Sequence, residues 1–506
     1  MADIVDALLN PNAYDEAVKN IRLVQTHISW IFLTGKHVYK VKKPVNFGFL
    51  DFTTLQKRKL FCEKELELNK RLAPDMYLEV VPINQSGGKI KIKGDGETIE
   101  YAVKMKELPQ ETMMSKLLER NDVNNRMIDR IAKIVSDFHS KTKKINRNDS
   151  FNVIRFNWDE CFSQTKPFIN RTIGKENFDY IESTIKKFMT NNKTIFERRI
   201  NEGKIRECHG DLHSGNIFIS DKIYIFDAIE FNERFRFCDV ASEVAFLTMD
   251  LDFQNKQDLS IQFIGKYIEY SKDHGIKKLL DFYKCYRAYV RGKVTSFKLN
   301  DKDVSEEEKL ESENMAKKYF NLAFNYSKKL GPRLVVMCGL TGTGKSNVSK
   351  NIAKIIKGKI IRSDIVRKEL GGISSTKHKF DDYNRGLYSE EFTDRTYSEM
   401  INIARETLTK GISCVLDATF SKKEYRKEAA NLAKELNLPF FIVECICPEH
   451  VIRNRLEKRM KGKSVSDGRW EIYLDQKKDF EPIGSDEREH IVIDTTKKNE
   501  LEKVLT

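Results

Sequence analysis

The sequence predicts an α+β domain over residues 1–330 followed by an α/β domain with a parallel sheet over residues 331–506. Three observations predict this order. The chain opens with short strand-like runs and then turns helical. Gly331-Pro332 is a stop signal for the last of those helices. Beyond it, short apolar runs alternate with helical segments, the pattern of a sheet covered on both faces. A length of 506 residues also exceeds what one ordinary core accommodates.

In the first domain, residues 28–33 (ISWIFL) and 37–41 (HVYKV) read as strands joined by Thr34-Gly35-Lys36, a hairpin signal. A helical pattern covers residues 53–72. Further strands are expected at 77–83, at 89–92 beside Gly87-Gly88, and at 101–105. Residues 121–204 are mainly helical, and short runs at 217–219 and 223–226 flank the turn Ser220-Asp221-Lys222. Helices resume from 240 to 329, the last opening with the capping box Ser305/Glu308. The second domain shows strand runs at 334–338, 359–362, 413–416, 440–443 and 491–493.

Composition narrows the class. Hydrophobic residues at 40% and aromatics at 10% exclude a disordered chain. No apolar run is long enough to cross a bilayer, and residues 1–10 (MADIVDALLN) lack the flanks of a signal peptide, so no membrane is expected. Nine scattered cysteines without a C-x-x-C pair argue against a disulfide or zinc framework and for a reducing, cytoplasmic compartment. A net charge of +14 attracts phosphate-rich partners, nucleic acid among them. The basic residues are interspersed with acids, however, so charge alone leaves nucleic-acid binding open.

The densest motif of the second domain is Gly339-Leu340-Thr341-Gly342-Thr343-Gly344-Lys345-Ser346, which fits G-x-x-x-x-G-K-[ST]. Its glycines let successive N–H groups face a diphosphate, Lys345 reaches the β- and γ-phosphates of ATP, and Ser346 suits Mg²⁺. A buried-strand run precedes the loop and a helix follows, the context this motif requires. Asp364 and Arg367 follow the second strand, where an acid can accept a hydroxyl proton and an arginine can offset phosphoryl charge; a helix cap is the plainer use. Asp417 ends the third strand run. Arg453, Arg455 and Arg459 share one predicted helix, with 455 and 459 on one face, either a solvated surface or a lid over phosphates.

These residues resemble the small P-loop kinases that include polynucleotide kinases, zeta-toxin-like kinases and gluconate-kinase-like proteins. The resemblance covers about residues 333–480 and rests on the phosphate loop, Asp364/Arg367, residues 416–420 (LDATF) and Arg455/Arg459. It implies Asp364 as general base, Arg367 as a phosphate contact and Arg455 with Arg459 as a clamp on ATP.

In the first domain the densest motif is His209-Gly-Asp211-Leu-His213-Ser-Gly-Asn216. Kinase-like chemistry places an Asp at the acceptor hydroxyl and an Asn five residues later on Mg²⁺, and Asp211 and Asn216 have that spacing. Asp227 follows at a strand end, where a second metal-holding acid belongs. His209 is read as a brace for the loop, and His213 stays ambiguous. The segment resembles the aminoglycoside phosphotransferase-like branch of the protein-kinase fold, with its H-G-D-x-H-x-x-N signature.

That resemblance implies a bilobal fold, a strand lysine aligning the phosphates, a helix glutamate holding that lysine, and a hinge at 101–108 for adenine. Lys40 is the lysine chosen, with Lys42 and Lys43 as neighbours. Glu65 is chosen over Glu63 because it shares a stripe with Phe61, Leu68 and Leu72, and a buried acid needs a cationic partner. Arg236 and Asp239 read as structural pins. Two departures stand out: there is no G-x-G-x-x-G loop, only Gly35, so cover for the phosphates must come from a shorter turn; and Asp227 is followed by Ala-Ile-Glu230, with Glu230 either aiding the metal or capping a turn.

The whole chain resembles predicted bifunctional proteins that fuse an aminoglycoside phosphotransferase-like domain to a P-loop domain. The expectation is two ATP·Mg²⁺ sites, each passing a γ-phosphoryl group to a hydroxyl. A nucleic-acid 5′-hydroxyl as acceptor, or one domain acting as a nucleotide-sensing regulator of the other, are the alternatives. Specificity walls are expected at 151–190, 276–299 and 371–385.

Overall fold

The structure, a computed structural model, describes residues 2–145, 149–301, 304–372, 386–460, 469–487 and 489–497, with the backbone alone at 2–3 and 459–460. It divides into two compact units, Met1–Ser327 and Lys328–Thr506.

The first unit begins with a six-stranded antiparallel sheet of β1 (Arg22–Gln25), β2 (Ser29–Leu33), β3 (His37–Lys42), β4 (Tyr77–Ser86), β5 (Lys89–Ile92) and β6 (Glu97–Lys106), in the order β1-β2-β3-β6-β4-β5. The β2–β3 hairpin forms where Thr34-Gly35-Lys36 predicts it, with Gly35 at φ +89°. β1 is an addition to the reading, because RLVQ is short and largely exposed and carries little pattern. The helix Leu55–Asn69 opens on Thr54, whose hydroxyl accepts from Lys57 N at 3.3 Å, and buries Cys62, Glu65 and Leu68 against β4 and β6.

Helices dominate the rest of this unit. Among them thread two small antiparallel pairs, β7 (Ile205–Glu207) with β10 (Phe237–Asp239) and β8 (Ile217–Ile219) with β9 (Ile223–Ile225). The capping box forms as read: Glu308 N donates to Ser305 Oγ at 3.2 Å, and the helix Glu306–Leu330 stops before Gly331-Pro332. An antiparallel sheet followed by a helical lobe carrying two hairpins is the kinase-like bilobal arrangement.

The second unit is a five-stranded parallel sheet in the order β12-β13-β11-β14-β15, built from β11 (Leu334–Cys338), β12 (Lys359–Arg362), β13 (Cys414–Asp417), β14 (Phe440–Ile446) and β15 (His490–Asp494). Every residue of β11 is buried, as a central strand covered on both faces requires. The chain reverses its direction of travel across the sheet at β11, and ligands bind such sheets at the carboxyl ends beside that point.

One buried cation holds the helical lobe to β10. Arg199, from the helix Lys193–Asn201, donates to both oxygens of Asp239 at 2.7 Å and to Asp273 at 2.9 and 3.0 Å. Asp239 also caps the helix Val240–Phe253 by accepting from Ala241 N at 2.8 Å, so it is the pin that its position suggested. Arg199→Met leaves the buried Asp239 carboxylate without a cation and Asp273 with Lys204 alone, at 3.4 Å. It is expected to remove about 3–5 kcal/mol from the stability of this unit, read as a lower denaturant midpoint with the slope unchanged.

Candidate functional site

Lys40 and Lys42 lie two residues apart on β3 and therefore share a face. Lys40 Nζ donates to Glu65 Oε1 at 2.8 Å and to Asp227 Oδ1 at 2.6 Å. Lys42 Nζ donates to Glu65 Oε2 at 2.6 Å and to Glu230. The result is a continuous chain Asp227–Lys40–Glu65–Lys42–Glu230 whose two ends belong to one turn. Burial alone would raise the Glu65 carboxyl, but the two ammonium groups overcome it and hold it at about 2. Burial wins at Glu230, which is raised above the ordinary carboxylate value despite Lys42. Glu63 is exposed beside Lys59, on the other side of the helix. Glu230 neither caps a turn nor faces solvent: its partner is Lys42, a pairing that the sequence reading did not name.

Two further side chains set this turn. Asn69 donates to Glu65 O at 2.8 Å and accepts from Ala228 N at 2.8 Å, tying the helix to the turn. The Tyr77 hydroxyl accepts from Asp227 N at 3.2 Å. Asp227 sits at φ +65°, a conformation that side chains rarely adopt and that the surrounding bonds enforce.

The loop 209–216 is braced from below. Glu243 accepts from His209 N and Gly210 N, both at 2.7 Å. Arg287 donates to Gly210 O at 3.0 Å, and Asp250 accepts from Ser214 N at 2.9 Å. His209 accepts from Asp211 N at Nδ1 (3.3 Å) and donates from Nε2 to Phe226 O (2.9 Å), so the ring is a neutral brace, and burial lowers its pKa. His213 Nδ1 accepts from Gly215 N at 3.1 Å, which assigns the proton to Nε2, 3.3 Å from Asp211 Oδ2. Burial would raise Asp211, yet His213 and then Arg291 hold it well below the usual range. Asn216 Nδ2 donates to Asp211 Oδ2 at 3.0 Å.

A cavity of about 1960 Å³ is lined by Lys40, Asp211 and Asp227. The helices Ser150–Thr165 and Leu280–Phe297 also contribute lining residues, within the expected walls 151–190 and 276–299. Among the described residues, the Asn216 side-chain oxygen and Asp227 Oδ2 accept no hydrogen bond, and the Asp227 side chain is 43% exposed. Two such oxygens suit a hard divalent cation. The cover comes from the β1–β2 turn, since residues 25–28 line this cavity. Gly35 lies at the other end of the hairpin, its N–H donating to Glu107 at 2.8 Å.

In the second unit the phosphate loop joins β11 to the helix Lys345–Ile356. Gly339 has φ +128°, and a Cβ there would fall 2.6 Å from Cys445 O, so the loop requires glycine at this point. Gly344, at φ +98°, turns the chain into the helix. Lys345 Nζ donates to Leu340 O at 2.8 Å; burial lowers its pKa, with Asp417 the main opposing charge and Asp364 also acting. Asp417 Oδ2 is buried without a hydrogen-bond partner and lies 3.4 Å from Arg362 Nε. The buried Asp417 carboxylate, whose charge acts on Lys345, fits a site for Mg²⁺, directly or through water.

Asp364 sits half-buried in the first turn of the helix Ser363–Leu370, whose cap position is Arg362. Arg367 is buried, donating to Leu387 O at 2.5 Å and Thr393 Oγ1 at 3.1 Å over the Tyr388 ring. Arg455 lies against the phosphate loop, donating to Thr343 O at 3.3 Å and Thr495 Oγ1 at 2.9 Å. The Arg459 side chain lies outside the described residues, as does the expected wall from 373 to 385. Arg453 is exposed and paired with Glu457 at 3.1 Å. Gln476 and Thr495 are additions: Gln476 Oε1 accepts from Thr341 N at 3.0 Å, and Thr495 Oγ1 donates to Thr343 O at 2.6 Å. Neither sits in a motif, so no sequence signal marks them.

Comparison with known proteins gives three kinds of match. An uncharacterized protein of Mycobacterium tuberculosis is 28% identical over 454 residues, spanning 89% of this chain and 88% of its own length. An uncharacterized protein of Mycobacterium bovis matches to the same extent. Among solved structures, a choline/ethanolamine kinase family protein from Mesorhizobium loti covers 64% of this chain and 99% of its own at 11% identity, with a TM-score of 0.38. A sugar kinase from Janibacter covers 35% and 92% at 17% identity, with a TM-score of 0.27. Residues 334–483 match the family model described as an AAA domain. That match takes in the phosphate loop and β11 to β14 of the second unit.

Proposed function

We propose that the protein is an ATP-dependent phosphotransferase with two ATP·Mg²⁺ sites, each transferring the γ-phosphoryl group to a hydroxyl. The observation that carries this reading is the one cavity lined by Lys40, Asp211 and Asp227 together. In the N-terminal site the Asp211 carboxylate accepts the hydrogen bond of the acceptor hydroxyl. Its depressed pKa makes it an orienting group more than a strong base, which suffices for a loose phosphoryl-transfer transition state. Asn216 and Asp227 would hold Mg²⁺, which offsets charge on the phosphates. Lys40 exchanges its contact with Asp227 for a phosphate oxygen and keeps Glu65. The acceptor oxygen then bonds to the γ-phosphorus as the bond to the β-phosphate oxygen breaks, and ADP departs.

In the second site the loop amides from Gly339, Thr341, Gly342, Thr343 and Gly344 with Lys345 would cradle the phosphates. Ser346 and Asp417 would hold Mg²⁺, and Asp364 would accept the hydroxyl proton. Arg367, Arg455 and Arg459 are the cations available to the transition state. Gln476 yields the Thr341 amide when phosphate enters.

Asp211→Ala and Lys345→Ala are each expected to lower a different ATP-dependent transfer by at least about 10²-fold. The measurement is transfer from γ-labelled ATP to a panel of metabolites, nucleosides and 5′-hydroxyl oligonucleotides. An activity unchanged by both substitutions would remove the assignment of both sites.

The buried double ion pair makes a second expectation. Glu230→Gln leaves Lys42 with Glu65 alone and draws that carboxylate away from Lys40. The KM for ATP·Mg²⁺ at the N-terminal site is expected to rise about tenfold. Lys42→Met combined with Glu230→Gln returns Glu65 to Lys40 and recovers most of the loss. Additive losses in the double variant would contradict the coupling.

A further inference from the structure

Of the carboxylates that line the N-terminal cavity, four pair with lysine or arginine, while Asp211 and Asp301 lie against histidines and Glu308 and Glu311 have no ion pair among the described residues. Glu160 pairs with Arg234 at 2.9 Å, Asp227 with Lys40, Glu230 with Lys42, and Asp239 with Arg199. Two buried cations on the same walls, Arg287 and Lys293, have no carboxylate partner among the described residues. Arg287 is accounted for, since it donates to Ser242 O at 3.1 Å and Gly210 O at 3.0 Å. Lys293 is not. It is 8% exposed, and its ammonium has two neutral hydrogen-bond partners, Gln164 Oε1 at 2.7 Å and the buried Cys161 thiol, with the Phe297 ring 5.8 Å away. An ammonium offers three donors, and burying it without a counter-charge is unfavourable, so such a group marks a place where an anion is expected.

Its position along the helix adds a distance. Arg287, Val290, Lys293, Val294 and Phe297 all line the cavity from the helix Leu280–Phe297. Arg287 marks the level of the 209–216 loop through its bond to Gly210 O, next to Asp211. Lys293 lies six residues further on, about 9 Å along the axis at ~1.5 Å per residue. Val290 and Val294 line the stretch between and beside them, so the path from Asp211 to Lys293 is largely apolar on this wall. The cavity, at about 1960 Å³, also exceeds the roughly 300–1,000 Å³ of an ordinary small-molecule site.

We propose that the acceptor of the N-terminal site is a hydroxyl compound with an anionic group, a carboxylate or a phosphate ester, that pairs with Lys293 across an apolar spacer. This rests on the reading of that unit as a phosphotransferase and names the class of its acceptor. The hydroxyl sits at Asp211 and the anion at the far end of the helix face. Gln164 and Cys161 orient the ammonium, leaving its third donor for the anion.

The test uses the full chain carrying Lys345→Ala, with 8-hydroxyoctanoate, its methyl ester and 8-hydroxyoctyl phosphate as probes. Binding is titrated by calorimetry. At least one anion is expected to bind about tenfold more tightly than the neutral ester, and the tighter of the two identifies carboxylate or phosphate as the preferred group. Lys293→Met should erase the difference while leaving ester binding intact, and Lys293→Arg should retain it. The proposal is overturned if neither anion binds, if the ester binds as well as the anions, or if the difference survives Lys293→Met. Labelled phosphate transfer to the same probes, with Asp211→Ala as control, reports separately on the phosphotransferase reading. Discrimination of the anion without transfer would end that reading and leave the anion site standing.

Discussion

A buried ammonium needs an anion, and a site meant for phosphates must supply one before the phosphates arrive. The first unit meets this requirement with the chain Asp227–Lys40–Glu65–Lys42–Glu230. Two cations and three acids leave one negative charge in excess, and it falls at Asp227, the most exposed member of the chain. Lys42 and Glu230 are both buried, and they connect the sheet to the turn that carries Asp227. A helix glutamate held by two lysines has little freedom to swing away. The lysine–glutamate contact is thus built into the fold, without relying on a bound nucleotide to form it.

The second unit answers the same need by other means. Its phosphate site is a loop of main-chain amides, where the positive end of a helix supplies field without an ionised side chain. Lys345 is accordingly less constrained: its ammonium rests on the Leu340 carbonyl, and burial lowers its pKa. The loop amide at Thr341 is engaged by the Gln476 side-chain oxygen, a neutral group that can leave at small cost when a stronger acceptor enters. On the proposed function, side-chain ion pairs in one unit and backbone geometry in the other would be two solutions to holding a triphosphate.

Much of this was legible in the sequence because the signals were local. The phosphate loop, the five strands of the parallel sheet, the Asp211/Asn216 spacing and the Ser305/Glu308 box each depend on neighbours within a few residues. Glu65 was legible through its helical stripe. What stayed hidden depends on contacts between distant segments. Glu230 lies 188 positions from Lys42, and Thr495 lies 152 from Thr343, with no motif around either. Arg367 reads as a cation beside phosphates, yet its guanidinium is bound to Leu387 O and Thr393, contacts set by how the chain returns after residue 386.

The missing glycine-rich loop has a physical counterpart in the β1–β2 turn. Thr26 Oγ1 accepts from Ser29 N at 2.9 Å and Ile28 N at 3.3 Å, and Thr26 N donates to Ser29 O at 2.9 Å. Those three amides are spent inside the turn, so it cannot offer phosphates the row of free N–H groups that a glycine loop presents. It can cover the cavity by bulk, and His27 extends from it to within 3.4 Å of Asp301 on the helical lobe. On the proposed function, a site with few amides to give would draw its phosphate-binding energy from cations. That dependence would account for the buried second lysine: Lys42 fixes the Glu65 carboxylate that holds Lys40 in place.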